Sequence, residues 1–438
     1  MVGRRRGSEM ALAVAGVLAA GADRDRYVDL LRLFSIVMVA IGHWVLALLG
    51  LYGSGGITTT TPAMLATWLW QVMPLFFFVG GFAHACALRH RPSLATFLRG
   101  RLDRLLRPAL VFVGVWTGLA LILGFAGAAT GQVGFGLRKV TSVLWFLGVY
   151  LLVVLLAPAM MWLHRRYGLW VVPALGLVAA VVDVIALGRQ RPEAGVLNVL
   201  FVWLAVHQLG YGYADGSLLR GGRRLAALLA AGGLAATVLL VFGVGAYPVL
   251  MVGLPDNAQS NMAPPTLALL TQSVFLIGLA LLLRPTGLEW LRRPRVWRVV
   301  AMGNTMVMTI FCWHLSAVAV VQLALLALGV QLPCADSPWW LAVLPAWLAA
   351  CALSCAVTVR VFRSFEWFRS PTVGAAAPAI AGGLTAASGL FILSQVGLDN
   401  LTSLRARVID GIPVTAGLAL ALLTAGAVLL FAWRKSSV

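Results

Sequence analysis

Asp29, Arg32 and His43 stand in a single apolar run, DLLRLFSIVMVAIGHWVLALLG, from Asp29 to Gly50. Histidine is the side chain whose pKa lies nearest neutrality, so it can take and give a proton. Arginine stays charged and grips anions with a planar fork. Eleven residues separate Arg32 from His43; at about 100° per residue, that is three turns plus about 20°, which puts both side chains on nearly one helix face. Asp29 falls within about 60° of Arg32, and the polar stripe from Arg32 to His43 is roughly 16 Å long. Ionisable groups inside an apolar span are costly and mark a functional site by default. Arg32 can snorkel to an interface. His43 cannot, so it must face protein or a water-filled cavity. The competing reading of a membrane histidine is an interhelical hydrogen bond, and the aligned arginine weighs against it.

The elements that must position this stripe are membrane helices. The chain has 438 residues, 61% hydrophobic and 11% charged, far from the half-apolar, quarter-charged make-up of soluble domains. A net charge of +19 would suit nucleic acid. The charges, however, fall in short loops between apolar runs, with no aromatic-studded basic surface to track a phosphate backbone, and that class is excluded. A spanning helix needs about 20 apolar residues. Twelve such spans are expected, near 28–51, 63–88, 106–128, 141–163, 168–188, 196–214, 225–246, 265–283, 301–329, 338–359, 372–396 and 411–433. The ninth is long enough to tilt or to break near Gly303. The fold class is therefore all-α and polytopic.

Counting Lys and Arg in alternate loops gives 26 on the side of the N-terminus and 6 on the other. By the positive-inside rule both termini are cytoplasmic, Asp29 and Arg32 lie near the cytoplasmic surface, and His43 lies at or beyond the midplane. The N-terminal stretch MVGRRRGSEMALAVAGVLAAGA resembles a signal peptide. Glu9 beside its apolar run, and Arg24 and Arg26 directly after it, favour an uncleaved cytoplasmic extension over residues 1–26. Arg outnumbers Lys 31 to 2, a bias of GC-rich genomes that points to a bacterial cell membrane. The five cysteines show no CxxC or Cys/His ligand spacing, so neither a disulfide framework nor a metal site is expected. Cys351 and Cys355 are read as packing residues on one helix face.

Four segments carry a family resemblance. Asp29-Leu30-Leu31-Arg32, followed after ten residues by His43, resembles the opening motif of the acyltransferase-3 family, integral-membrane acyltransferases of sugars, glycans and glycolipids. MPLFFFVGGF (Met73–Phe82) is similar to the family's second-helix run, with Gly80 where serine is usual. FLRGRLDRLLRPALVF (Phe97–Phe112) resembles its arginine-rich segment, with Arg99-Gly100-Arg101 as the R-x-R. GNTMVMTIFCWHLS (Gly303–Ser316) resembles its late helix and places His314. Two departures stand out: Tyr150 lies near the glutamate position of a motif in one branch, and the soluble hydrolase-like domain of some members is replaced by two further spans. The resemblance implies a ten-helix acyltransferase domain over 27–362, followed by two additional transmembrane helices and a short tail over 363–438.

It also implies the chemistry. The donor would be a cytosolic acyl-CoA, the acceptor a hydroxyl of an envelope glycan, glycolipid or glycosylated natural product, and no metal would take part. Residues 89–107 hold six arginines against one acid, Asp103, more than a topology anchor needs. Arg99, Arg101 and Arg104 are assigned to the donor's phosphates, with Pro108 expected in the first turn of the third helix. His43 is assigned as the general base on the acceptor hydroxyl, and Arg32 as the group that orients the donor or steadies developing charge. A covalent acyl-histidine relay is the other route open to His43. Asp29 and His314 are supporting residues. His207, Gln208 and Asp183 are expected to make structural hydrogen bonds. The segment Gly245–Pro265 is the longest external loop, either a lid or a connector. The competing function is a twelve-helix secondary transporter or a flippase of envelope precursors.

Overall fold

A computed structural model describes residues 25–52, 60–90, 92–188, 191–254, 259–333, 339–366, 374–403, 405–409 and 411–431. The signal-like run before Arg24 lies outside them. The helices are α1 (Arg26–Tyr52), α2 (Thr61–Trp70), α3 (Met73–Arg89), α4 (Leu94–Phe125), α5 (Gly131–Thr141), α6 (Leu144–Tyr167), α7 (Val171–Asp183), α8 (Asn198–Ala214), α9 (Ser217–Arg220), α10 (Gly222–Val238), α11 (Leu267–Leu291), α12 (Pro294–Asn304), α13 (Val307–Ala327), α14 (Trp340–Phe362), α15 (Ala376–Val396) and α16 (Ala416–Phe431). A hairpin of two three-residue strands, β1 (Arg407–Ile409) and β2 (Ile412–Val414), sits between α15 and α16. The molecule is an all-α polytopic membrane protein.

Among the described residues ten helical stretches are long and apolar enough to cross a membrane. The fourth, Gly131–Gly188, has 58 residues. At 1.5 Å per residue a straight helix of that length would reach roughly 87 Å, against a hydrocarbon core of about 30 Å. It is not straight: the chain turns at Gly168, whose φ of +59° suits glycine, and so it holds the fourth and fifth expected spans as α6 and α7. The twelfth expected span is the 16-residue α16. The ninth breaks at Thr305–Met306 into α12 and α13, close to the expected point.

The arginine-rich segment corrects the sequence reading. Residues 94–107 are helical and not a loop, because α4 begins at Leu94 and runs for 32 residues. Ser93 caps it, its hydroxyl accepting from the Thr96 amide at 3.1 Å. Leu98, Leu102, Leu105, Leu106, Ala109 and Phe112 are buried along one face, the i, i+3, i+4 pattern of an amphipathic helix. Pro108 is consequently in the helix interior and not in its first turn. There it cannot donate to the Arg104 carbonyl.

The chain divides into two compact units. The first comprises Met1–Ala85, Leu163–Phe311 and Gln331–Ala350. Asp25 starts it: its carboxylate accepts from the Tyr27 and Val28 amides at 2.9 and 3.1 Å, an N-cap for α1. The same carboxylate accepts from the Tyr213 hydroxyl at 2.6 Å, tying α1 to α8. Tyr27 donates to the Ala280 carbonyl of α11 at 2.5 Å. Leu30 and Leu33 pack on the cluster formed by Leu291, Trp297, Val300 and Ala301, so α12 lies against the first turns of α1. Between α2 and α3 the helix opens at Gln71, whose φ of −74° and ψ of 76° form an inverse γ-turn. The Val72 amide donates there to the Trp70 carbonyl at 2.8 Å. Broken helix at membrane depth survives only where its backbone is satisfied. The Gln272 side chain of α11 does this, donating to the Trp68 carbonyl at 2.6 Å and the Gln71 carbonyl at 3.4 Å.

The second unit comprises Cys86–Trp162, Cys312–Val330 and Cys351–Val438. Phe112 meets Trp313 edge-on, and Trp313 stacks on Phe362 with ring centroids 3.9 Å apart. Trp116 donates to the Ser316 hydroxyl at 3.0 Å. The C-terminal helices α15 and α16 run so close that a Cβ on Gly382, Gly389 or Gly426 would meet the facing backbone, the small-residue packing expected between membrane helices. Beyond α15, Asp399 accepts from Arg138 at 2.7 Å and from Arg407 at 2.8 Å, which fastens the hairpin to α5.

Candidate active site

In the first unit the polar stripe of α1 is built as its spacing requires. Arg32 lies one turn after Asp29, and its guanidinium donates to that carboxylate at 3.4 Å. Asp29 is buried and the Arg32 side chain is 29% exposed, so the pair leaves the guanidinium partly open. His43 follows three turns later on the same helix, half-buried. One residue before it, Gly42 has no side chain, and the Trp70 indole occupies the place where a Cβ would stand. One residue after it, the Trp44 carbonyl accepts from the Trp347 indole at 2.9 Å. His43 is therefore held on a segment gripped from both α2 and α14.

The stripe has a partner that sequence reasoning missed. Asn304, the last residue of α12, donates to the backbone carbonyl of Asp29 at 2.8 Å and to the Val300 carbonyl at 2.9 Å. Its amide oxygen is buried and unpaired. A Cβ on the neighbouring Gly303 would lie 2.7 Å from the Leu33 side chain. The Gly303-Asn304 pair thus seats the break before α13 directly on the Asp29–Leu33 turn. Both residues belonged to the late motif, and the signal that marked them was the glycine at the break.

In the second unit the three arginines that the resemblance assigns to the donor divide. A helix turns 200° over two residues, so Arg99 and Arg101 point to nearly opposite sides of α4, whereas Arg101 and Arg104 lie about 60° apart. Arg99 is 5% exposed and donates to the Leu430 carbonyl at 2.5 Å and the Ala375 carbonyl at 3.4 Å. Leu430 lies in the last turn of α16, where carbonyls have no partner within the helix. Arg107 donates to Asp103 at 2.5 Å and lies over the Phe431 ring at 5.1 Å. Arg101 is half-buried and Arg104 exposed. His314 is buried in α13, beside the stacked Trp313.

The other polar groups of the first unit hold helices together, as expected. Close approach of α3 and α8, where a Cβ on Gly81 or Gly210 would strike the facing backbone, brings His84 Nδ1 to 2.9 Å from His207 Nε2. Gln208 bonds His164 at 2.8 Å, and His164 bonds Asp215 at 3.0 Å. Asp183 accepts from Asn198, from the Leu267 amide and from the Tyr247 hydroxyl at 2.7, 2.7 and 3.0 Å. Burial first, and the Asp183 charge second, push the Tyr247 hydroxyl pKa well above its ordinary value. The described part of the Gly245–Pro265 segment is packed. Asn261 is fully buried and donates to the Pro248 and Leu250 carbonyls at 2.6 and 3.0 Å, and the Trp68 indole donates to the Val249 carbonyl at 2.7 Å.

An all-helical membrane fold carrying an aligned Arg–His stripe in its first span, with an arginine-rich third span, defines a class of multi-pass membrane protein with a built ionisable site. The comparison with known families makes this specific. A family model described as an acyltransferase domain matches residues 25–361, and the chain belongs to the acyltransferase-3 family. It is a membrane acyltransferase. No curated protein and no solved structure matches it.

Proposed function

We propose that the protein moves an acyl group from cytosolic acyl-CoA to a hydroxyl of an envelope glycan, glycolipid or glycosylated natural product, in a bacterial cell membrane with both termini cytoplasmic. The observation that carries this reading is the α1 stripe: an Asp29–Arg32 pair seated by Asn304, and a half-buried histidine three turns on along the same face. His43 takes the acceptor proton as the hydroxyl oxygen forms its bond to the acyl carbon. The carbon–sulfur bond of the thioester breaks, and the thiolate of CoA takes up the proton that His43 gives back, directly or through water. Arg32 steadies the developing charge, in the manner of a preorganised donor, and Asp29 fixes its orientation. Arg101 and Arg104 hold the donor's phosphates through their forks. Arg99, committed to the Leu430 and Ala375 carbonyls, fastens the C-terminal helices. His314 supports the packing of α13.

Thiol release tests the proposal. Membranes containing the protein should liberate free CoA from acyl-CoA when acceptor is present, and mass spectrometry of envelope glycolipids and secreted glycosides should show an acyl increment that a deletion strain lacks. A transporter or flippase would move its cargo with no thiol released, and that result would overturn the reading.

A further inference from the structure

A second site opens at one membrane surface of the first unit, where α8 ends. A cavity of about 470 Å³ is lined by Tyr167, Trp170, Asp215, Ser217 and Arg220 among others. It lies where α6 turns into α7 and where α8 passes through α9 to α10. Both connections leave the apolar spans here, and Arg165 and Arg166 stand exposed beside it, so the cavity sits at headgroup level. Its walls carry both signs of charge. The Asp215 carboxylate is anchored by the Ser217 amide at 2.8 Å and by His164 at 3.0 Å. Burial raises its pKa, but the hydrogen bonds from Ser217 and His164 outweigh burial and hold it below the ordinary carboxylate value, so it is ionised at neutral pH. Its side chain is 46% exposed, and a carboxylate oxygen accepts more than one hydrogen bond. Arg220 spends one nitrogen on the Asp215 carbonyl at 3.3 Å and keeps the rest of its fork. Trp170 is 79% exposed and Tyr167 54%, as interfacial aromatics are.

We propose that this cavity binds a zwitterionic phospholipid headgroup of the ethanolamine type, with its phosphate on Arg220 and its ammonium on Asp215 against the Trp170 and Tyr167 rings. A purely anionic ligand would meet the Asp215 carboxylate. A purely cationic one would meet Arg220 and the flanking arginines. A headgroup that carries both charges a few ångströms apart satisfies both walls, and an ammonium over an aromatic face gains cation–π attraction. Ethanolamine is preferred to choline because a trimethylated nitrogen has no proton to give to the carboxylate. The likeness of Trp170 and Arg220 to a base-stacking, phosphate-binding pair makes a nucleotide the rival, and the Asp215 charge opposes it.

The full-length protein, purified in detergent and offered equimolar phosphatidylethanolamine, phosphatidylcholine and phosphatidylglycerol, should retain phosphatidylethanolamine several-fold over the other two by native mass spectrometry. Trp170→Ala and Arg220→Ala alter exposed side chains, so both should keep the wild-type melting temperature in lipid-free detergent while losing that preference. Asp215→Asn should shift retention toward phosphatidylglycerol. Equal retention of phosphatidylglycerol and phosphatidylethanolamine by the wild type would overturn the proposal. So would an unchanged preference in both alanine variants, or release of the bound lipid by adenosine 3′,5′-bisphosphate.

Discussion

His43 is the residue on which the proposed chemistry turns. It is half-buried on a segment fixed by Trp70 on one side and Trp347 on the other, so its neighbours hold the helix whether or not the imidazole is present. His43→Ala should insert and fold normally and lose acyl transfer by a factor of about 10² or more, the scale of a lost general base. His43→Gln keeps hydrogen bonding but cannot take a proton near neutral pH, and should be as inactive as the alanine variant in a CoA-release assay. A purely structural histidine would give the reverse order, with Gln near wild type and Ala poorly folded. The arginines of α4 separate in the same assay. Replacing Arg101 and Arg104 together by alanine should raise the KM for acyl-CoA by more than about tenfold, since each lost charged hydrogen bond is worth about 1.5–3 kcal/mol. Lysine at both should restore only part of that affinity, because it lacks the fork.

Elements carry two further expectations. The break between α12 and α13 rests on α1 through Gly303 and Asn304. Gly303→Val places methyl groups against Leu33 and should cost about 1–3 kcal/mol, as overpacking does. It should lower kcat for acyl transfer as the Asp29–Arg32 turn is displaced, and Asn304→Ala should lower kcat with a smaller loss of melting temperature. Arg99 acts at the same scale. It is buried against α16, and its loss removes the hydrogen bond to the Leu430 carbonyl. Arg99→Ala should therefore destabilise the protein by about 1–2 kcal/mol and speed proteolysis of the C-terminal helices. The KM for acyl-CoA should stay near wild type. A raised KM with unchanged melting would return Arg99 to the donor site.

At the scale of the whole molecule, the proposal depends on which membrane face each loop occupies. Single cysteines at exposed turn positions probe this directly. In a background with the native cysteines replaced, Ala128→Cys, between α4 and α5, should react with an impermeant thiol reagent added outside intact cells. Arg223→Cys, exposed in the first turn of α10, should react only after the membrane is opened. Reversed labelling would put the arginine-rich start of α4 outside, away from cytosolic acyl-CoA, and remove the basis of the donor assignment.

The all-α polytopic class, the Asp29–Arg32–His43 stripe and the break near Gly303 were legible in the sequence because each depends on local quantities. A run must match the thickness of the bilayer, the helix advances about 100° per residue, and a glycine or a polar pair interrupts an apolar pattern where it stands. The arginine-rich segment is legible too, as an amphipathic repeat of Phe97, Leu98, Leu102, Leu105 and Leu106, although its charge density obscures that repeat. Other features had no local signal. Asp25 is one acid among basic residues until Tyr213 of α8 reaches it. Asn304 is a polar residue in a motif until α12 lies across α1. Arg99 and Arg101 look equivalent two residues apart, and only the helix between them and the C-terminal pair beside them turn one toward the Leu430 carbonyl. Buried polar atoms must find partners wherever packing delivers them. The sequence by itself determined which residues are ionisable within the membrane, and the tertiary structure decided which of them are satisfied by distant backbone and which stay partly exposed.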